Sequence, residues 1–148
     1  MKTSKDPRHL ERIHIMQQLF ASEFSQENPP ENPKAAEIIQ NLNKIDKLIA
    51  EAAPTWPIEK INKIDLAILR QAVFELTIEA KTPPKVVVDE AVKLDKEYGA
   101  DSSASFINGA LGKLITDQQI ATNWICGIYT MKSRNFNFSI SINIAYRK

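Results

Sequence analysis

At 148 residues, 43% apolar and 25% charged, the chain is long enough for one domain with a real core and too short for two full ones. No stretch reaches the roughly 18 consecutive apolar residues of a membrane span, the polar start MKTSKDPRHLERIH is unlike a signal peptide, and the lone Cys126 builds neither a disulfide framework nor a metal cluster. A soluble cytoplasmic protein is the expectation, its net charge of +1 spread unevenly: residues 1–20 carry four Lys/Arg against two acids, 21–115 eleven against fifteen, and 116–148 four against one.

The first helix is predicted from Pro7 to about Phe24. Asp6 supplies an N-cap acceptor, Pro7 suits the first helical position, and Leu10, Ile13, Met16, Leu19, Phe20 and Phe24 recur at spacings of three and four. Ser25 to Pro33, with three prolines and no apolar residue, reads as a loop. Asn32 and Pro33 repeat the cap signal, and Ile38, Leu42, Ile45, Leu48 and Ile49 mark one second helix, ended by Pro54. Trp56 and Pro57 open a third helical region whose stripe of Ile61, Ile64, Ile68 and Ala72 is widened by Leu69, Val73 and Leu76, so it is predicted to be the central helix.

Pro83 and Pro84 start the next helix, with Val87, Val88, Ala91, Val92 and Leu94 on its core face and Gly99 at its end. Ser102 or Ser103 then caps a last helix bearing Phe106, Ile107, Ala110, Leu111, Leu114 and Ile115. The fold class is therefore all-α. Beyond Thr116 the character changes: Asn135 to Ile144 alternates apolar and polar like a strand, which could pair with Trp124 to Tyr129, lie as an extended tail, or stay disordered. An unpaired apolar edge of this kind also favours self-association.

Catalytic chemistry is not spelled out. His9 and His14 are five apart, on different helix faces, and read as surface residues. Asp89 and Glu90 are adjacent, point in different directions, and read as a solvated acidic face rather than a dyad. None of the common glycine-rich phosphate loops or nucleophile elbows occurs. Cys126 reads as a small hydrophobe. No enzyme activity, cofactor or metal is expected.

Three pieces, INKIDLAILRQAVFEL (Ile61 to Leu76), PPKVVVDEAVKL (Pro83 to Leu94) with Tyr98 and Gly99 behind it, and SFINGALGK (Ser105 to Lys113), resemble in order the core of the NusB family of transcription antitermination factors. The resemblance is strong over residues 56–115, weaker over 8–24 and absent beyond about 116. It implies a helical RNA-binding domain over residues 1–115 and an extension of unknown structure over 116–148. The implied fold is two small three-helix bundles packed together, the N-terminal one shortened because the span from Phe20 to Trp56 is brief. Arg70 reads as a buried or half-buried brace, Lys85 and Glu90 as braces on a helix surface, and Gly109 as a point of close helix packing.

Binding, not catalysis, is what the resemblance implies. NusB-like proteins pair with NusE, a ribosomal small-subunit protein, and the pair holds the single-stranded boxA element of nascent ribosomal RNA transcripts within the RNA polymerase antitermination complex. Single strands are held by cations along phosphates and by aromatic platforms under bases. By position the resemblance assigns RNA contact to Lys5, Arg8 and Arg12, with Arg8 and Arg12 four apart on one face, to Phe20, and to Ser102, Ser103 and Phe106 at the start of the last helix. Phe20 and Phe106 have core packing as the competing reading. Asp65 corresponds to an acidic position that faces NusE, or simply complements the helix dipole. His9 and Leu10 stand where resembling sequences are commonly basic. A second copy of the chain, in a homodimer, is a further candidate partner, and the alternative functions are a helical protein-interaction adaptor without an RNA role and a stand-alone RNA-binding module like that preceding ribosomal RNA cytosine methyltransferases.

Overall fold

The computed structural model describes residues 6–120 apart from residue 26; Lys5, Cys126 and the alternating segment from Asn135 to Ile144 lie outside the described residues. Every regular element described is helical. Helix α1 spans Pro7–Ser22, with the Asp6 carboxylate accepting from the Arg8 N–H at 2.9 Å as expected of its cap. Asn32 caps α2 (Pro33–Gln40) by accepting from the Lys34 and Ala35 N–H groups.

The single second helix expected from periodicity is in fact two. The chain breaks at Asn41, and α3 (Leu42–Ala52) follows. Asn41 donates from its side-chain amide to the Glu37 carbonyl at 2.8 Å, the kind of local bond by which Asn competes with a continuing helix. Three helices therefore precede the central one, two of them short and set within the brief span from Phe20 to Trp56.

The central helix also starts later than Trp56 suggests. Only a short 3-10 turn (Ile58–Lys60) forms there, and α4 (Lys63–Phe74) begins where Asn62 accepts from the Ile64 N–H. A π-helical turn (Glu75–Glu79) continues α4 and ends at Ala80 in the left-handed region, φ 51°. Helices α5 (Pro84–Tyr98) and α6 (Ser103–Asp117) complete the fold. Gly99 follows α5 as expected, but its φ of −89° is not left-handed. What requires glycine there is space, since a Cβ would come within 2.7 Å of the Asp95 Cγ. Ser102 stands at the start of α6 without making a side-chain cap bond.

Helix α4 packs against all five other helices. Leu66, Ile68, Leu69 and Phe74 are buried almost completely, each contributing about 1.5–3 kcal/mol relative to exposure. Arg70 is the brace its position predicts. Its Nε and Nη2 donate to the two Asp46 oxygens at 2.8 and 2.9 Å, its Nη1 donates to Glu23, and Lys63 joins Glu23 at 3.1 Å. One guanidinium thus links the segment after α1 to α3 and α4. No helix among the described residues is long and apolar enough to cross a membrane.

Gly109 overturns the close-packing expectation, because a Cβ built on it would meet nothing within 4 Å. It lies in the interior of α6, where glycine costs about 1 kcal/mol relative to alanine. Gly109→Ala is expected to stabilise the protein by roughly 0.5–1 kcal/mol, read as a higher midpoint in urea with an unchanged slope. A lower midpoint would show that something does approach this helix face.

Candidate nucleic-acid interface

The start of α4 and the start of α6 face one another across a groove of about 330 Å³. Ser102, Ser103 and Phe106 form one side, and Asp65 with Ile61 and Asn62 the other. Trp56 and Lys60 complete the lining, and the Trp56 ring meets Phe106 edge to face, centroids 6.2 Å apart and planes at 70°. Trp56 is 54% exposed. Residues expected on two separate surfaces, RNA and partner, thus share one concavity. Trp56, Lys60 and Asn62 went unrecognised as site residues because Trp56 read only as a helix opening.

Asp65 is not the surface carboxylate expected; it is 5% exposed. Its Oδ1 and both oxygens of Asp95 on α5 are sealed and receive no hydrogen bond from any N–H or hydroxyl group among the described residues, so the two acids can satisfy one another only by holding one proton between them. Burial, followed by the hydrogen bond and negative charge of Asp65, pushes the Asp95 carboxyl up to about 7. The carboxyl pair of this protein is therefore Asp65 with Asp95, thirty residues apart, and not the neighbours Asp89 and Glu90. No group of three or more potential metal ligands occurs among the described residues.

On α1 the expected cationic face is divided. Arg8 projects, its side chain 84% exposed, with Asp6 3.6 Å from Nε. Arg12 does not: it is 9% exposed, and its Nε donates to Glu75 at 3.1 and 3.3 Å. The reason is legible in its spacing, since Arg12 lies three before Ile15, four before Met16 and seven before Leu19, on the stripe that faces the core. Burial raises the Glu75 pKa, with Arg12 opposing through its charge and hydrogen bond. Arg12 is an internal brace and does not present the exposed cation expected of it.

His9 is likewise internal, at 2% exposure, contrary to the surface reading. Its Nδ1 lies 2.8 Å from Glu90 and its Nε2 3.1 Å from Glu97. A ring with hydrogen on both nitrogens satisfies both carboxylates, whereas a neutral ring satisfies one. Glu90 is thus engaged by α1 rather than solvated with Asp89. His14 stays exposed and meets Gln18 at 2.9 Å. Phe20 is half-buried against the core and tilts onto the exposed Phe24, centroids 5.0 Å apart.

The NusB family model matches residues 33–116, more than half of the chain. The chain belongs to the NusB family. It is 39% identical over 116 residues to transcription antitermination protein NusB of Chloroflexus aggregans, covering 72% of this chain and 76% of that one. The NusB of Roseiflexus sp. (strain RS-1) is 38% identical over 111 residues, covering 70% and 78%. Among solved structures, T. maritima NusB superposes with a TM-score of 0.65 at 31% identity, covering 74% of this chain and 91% of that one. A chain from the crystal structure of a plectonemic RNA supercoil reaches a TM-score of 0.67 at 22% identity, covering 77% and 97%, and shows the shared fold alone.

The NusB match runs from the start of α2 to the end of α6 and so contains the whole groove between Trp56 and Phe106. The divided cationic face of α1 precedes it. In this NusB-family chain the groove is the feature in which family match and geometry coincide.

Proposed function

We propose that this NusB-family protein is a transcription antitermination factor that binds single-stranded boxA-type RNA of nascent ribosomal RNA transcripts together with NusE. It acts by binding, in the cytoplasm, as part of the RNA polymerase antitermination complex. The groove lined by Ser102, Ser103, Phe106 and Trp56, inside the family-matched segment, is the observation that carries this reading. The exposed Trp56 ring and the half-buried Phe106 ring give unpaired bases a platform, and the start of α6, left without a side-chain cap, offers N–H groups to phosphate. Arg8 adds an exposed cation on α1. Arg12 and its partner Glu75 are internal and take no part.

The test is fluorescence anisotropy with a labelled boxA-like oligonucleotide, titrated with the full chain alone and with NusE. The pair is expected to bind more tightly than the chain alone. Phe106→Ala should weaken binding by about 1–3 kcal/mol, the range for losing one stacked base, and Arg8→Ala should flatten the salt slope by about 0.7. Absence of RNA binding by both the chain and the pair would end this reading, and a protein partner that still co-purified would point to the adaptor alternative.

A further inference from the structure

The acid pair lies beneath the groove rather than on its surface. Asp65 borders the groove from the start of α4, while Asp95, in the last turn of α5, is fully buried and meets Asp65 from below. The turn into α6 covers it. There the Gly99 N–H donates to the Asp95 main-chain carbonyl, and any side chain at Gly99 would strike the Asp95 carboxyl. Among the described residues Asp95 reaches no N–H, hydroxyl or cation, only Asp65, so the pair is satisfied while it shares a proton and not otherwise.

Helix direction assigns the proton to one member. Asp65 stands in the first turn of α4, whose N–H groups support a negative charge, whereas Asp95 stands at the carbonyl end of α5, which opposes one. Burial, followed by Asp65, pushes the Asp95 carboxyl up to about 7. No neighbouring charge relieves it. Lys63 on α4 is engaged by Glu23, Lys60 lines the groove itself, Lys96 and Glu97 on α5 and Asp101 on the turn are exposed, and residues 103–112 of α6 carry no charged side chain. Loss of the shared proton therefore places a second, uncompensated negative charge in the interior.

That charge arises behind the wall where an anion would dock. Asp65 shares the groove with Ser102, Ser103 and Phe106, and the uncapped start of α6 attracts phosphate through N–H groups whose field a nearby carboxylate cancels. We propose that the Asp65–Asp95 pair is a proton switch for this groove: while it holds its proton it admits an anionic strand at the start of α6, and once the proton is lost it repels one. This reading rests on the proposed RNA binding and adds to it a regulator that touches no RNA. The sign follows from linkage. A bound polyanion holds the proton more tightly than the free groove does, so affinity is full below about pH 7, falls as pH rises through it, and levels off once the complex too is deprotonated. A unit charge about 10 Å from another, at an effective dielectric of about 20, shifts an equilibrium roughly tenfold.

The experiment is an anisotropy titration of the labelled boxA-like oligonucleotide with the full chain, alone and with NusE, at constant ionic strength and at pH 6, 7, 8 and 8.5. Wild type is expected to bind about five- to tenfold more weakly at pH 8.5 than at pH 6. Asp95→Asn keeps the shape and gives Asp65 a donor that cannot ionise, so its affinity should stay within about twofold of wild type at pH 6 throughout the range. Calorimetry in two buffers of different ionisation heat should read the uptake of about half a proton per bound chain at pH 7.5 in wild type, and none in Asp95→Asn.

A wild-type affinity that stays flat from pH 6 to 8.5 would overturn the switch while leaving RNA binding intact. A fall that Asp95→Asn retains would overturn it too, by placing the titration on His9, His14 or NusE. Failure of wild type to bind at any pH would remove the RNA reading and the switch with it.

Discussion

Replacing Arg70 with alanine is expected to destabilise the protein by about 3 kcal/mol, the lower end of the range for orphaning a buried ion pair, and to lower the melting temperature by on the order of 10 °C. The guanidinium is 7% exposed and serves two carboxylates at once, Asp46 through both oxygens and Glu23. Without it both acids stay close together between α1, α3 and α4. They retain some access to water, which keeps the cost from reaching the upper end. Arg70→Lys should recover less than half, because an ammonium cannot match the two-pronged geometry on Asp46.

The effect of Arg70→Ala carries its own pH signature. Burial raises the Glu23 pKa, but hydrogen bonds from Arg70 and Lys63 outweigh it and hold the group below its ordinary 4.5. A depressed carboxylate contributes stability that is present above the unfolded value and lost as pH falls through the folded one. The gap between wild type and Arg70→Ala should therefore be full at pH 7 and narrow below about 4.5. Thermal melts across that range test this, and a variant melting within 2 °C of wild type at pH 7, a shift expected from under about 1 kcal/mol, would refute the brace.

Asp95→Asn is expected to act in the opposite direction and stabilise the protein at pH 8 by on the order of 2–4 kcal/mol. Asp95 is fully buried, and burial together with Asp65 raises it from 3.8 in the unfolded chain to about 7. Between those values the folded state holds a proton that the unfolded state has released, so the stability supplied by this group falls as pH rises from about 4 to about 7 and levels off above. Asparagine has no such proton to lose, and its amide can donate to the unpartnered Asp65 Oδ1. The advantage of the variant should thus be near zero at pH 4, grow through pH 6 and plateau beyond 7. Urea midpoints at pH 4, 6 and 8 measure it directly, and a variant less stable than wild type at pH 8 would refute the shared proton.

The helical plan was legible where local signals agree with burial. Asp6 with Pro7, Asn32 with Pro33, and Pro84 mark true helix starts, and the broad apolar stripe after Ile61 identified the helix that all others touch. The break at Asn41 was missed because Ile38, Leu42 and Ile45 keep helical spacing straight across it, while the cause is one side-chain bond to Glu37. Arg12 was misread from its charge although its spacing from Ile15, Met16 and Leu19 placed it inwards. His9 and Asp65 were misread for a different reason. Their partners, Glu90, Glu97 and Asp95, lie on another helix far along the chain, and no local pattern links them. The groove is of the same kind, since Trp56 and Phe106 are joined only by the tertiary fold.

Helices α1, α2 and α3 all rest on α4, which follows them in the chain. During translation they emerge from the ribosome before their common support exists, with Ile15, Leu19, Ile38 and Ile45 unshielded until Phe74 is made. At about 5–20 residues per second that interval lasts several seconds, long enough for chaperones to engage the nascent segment.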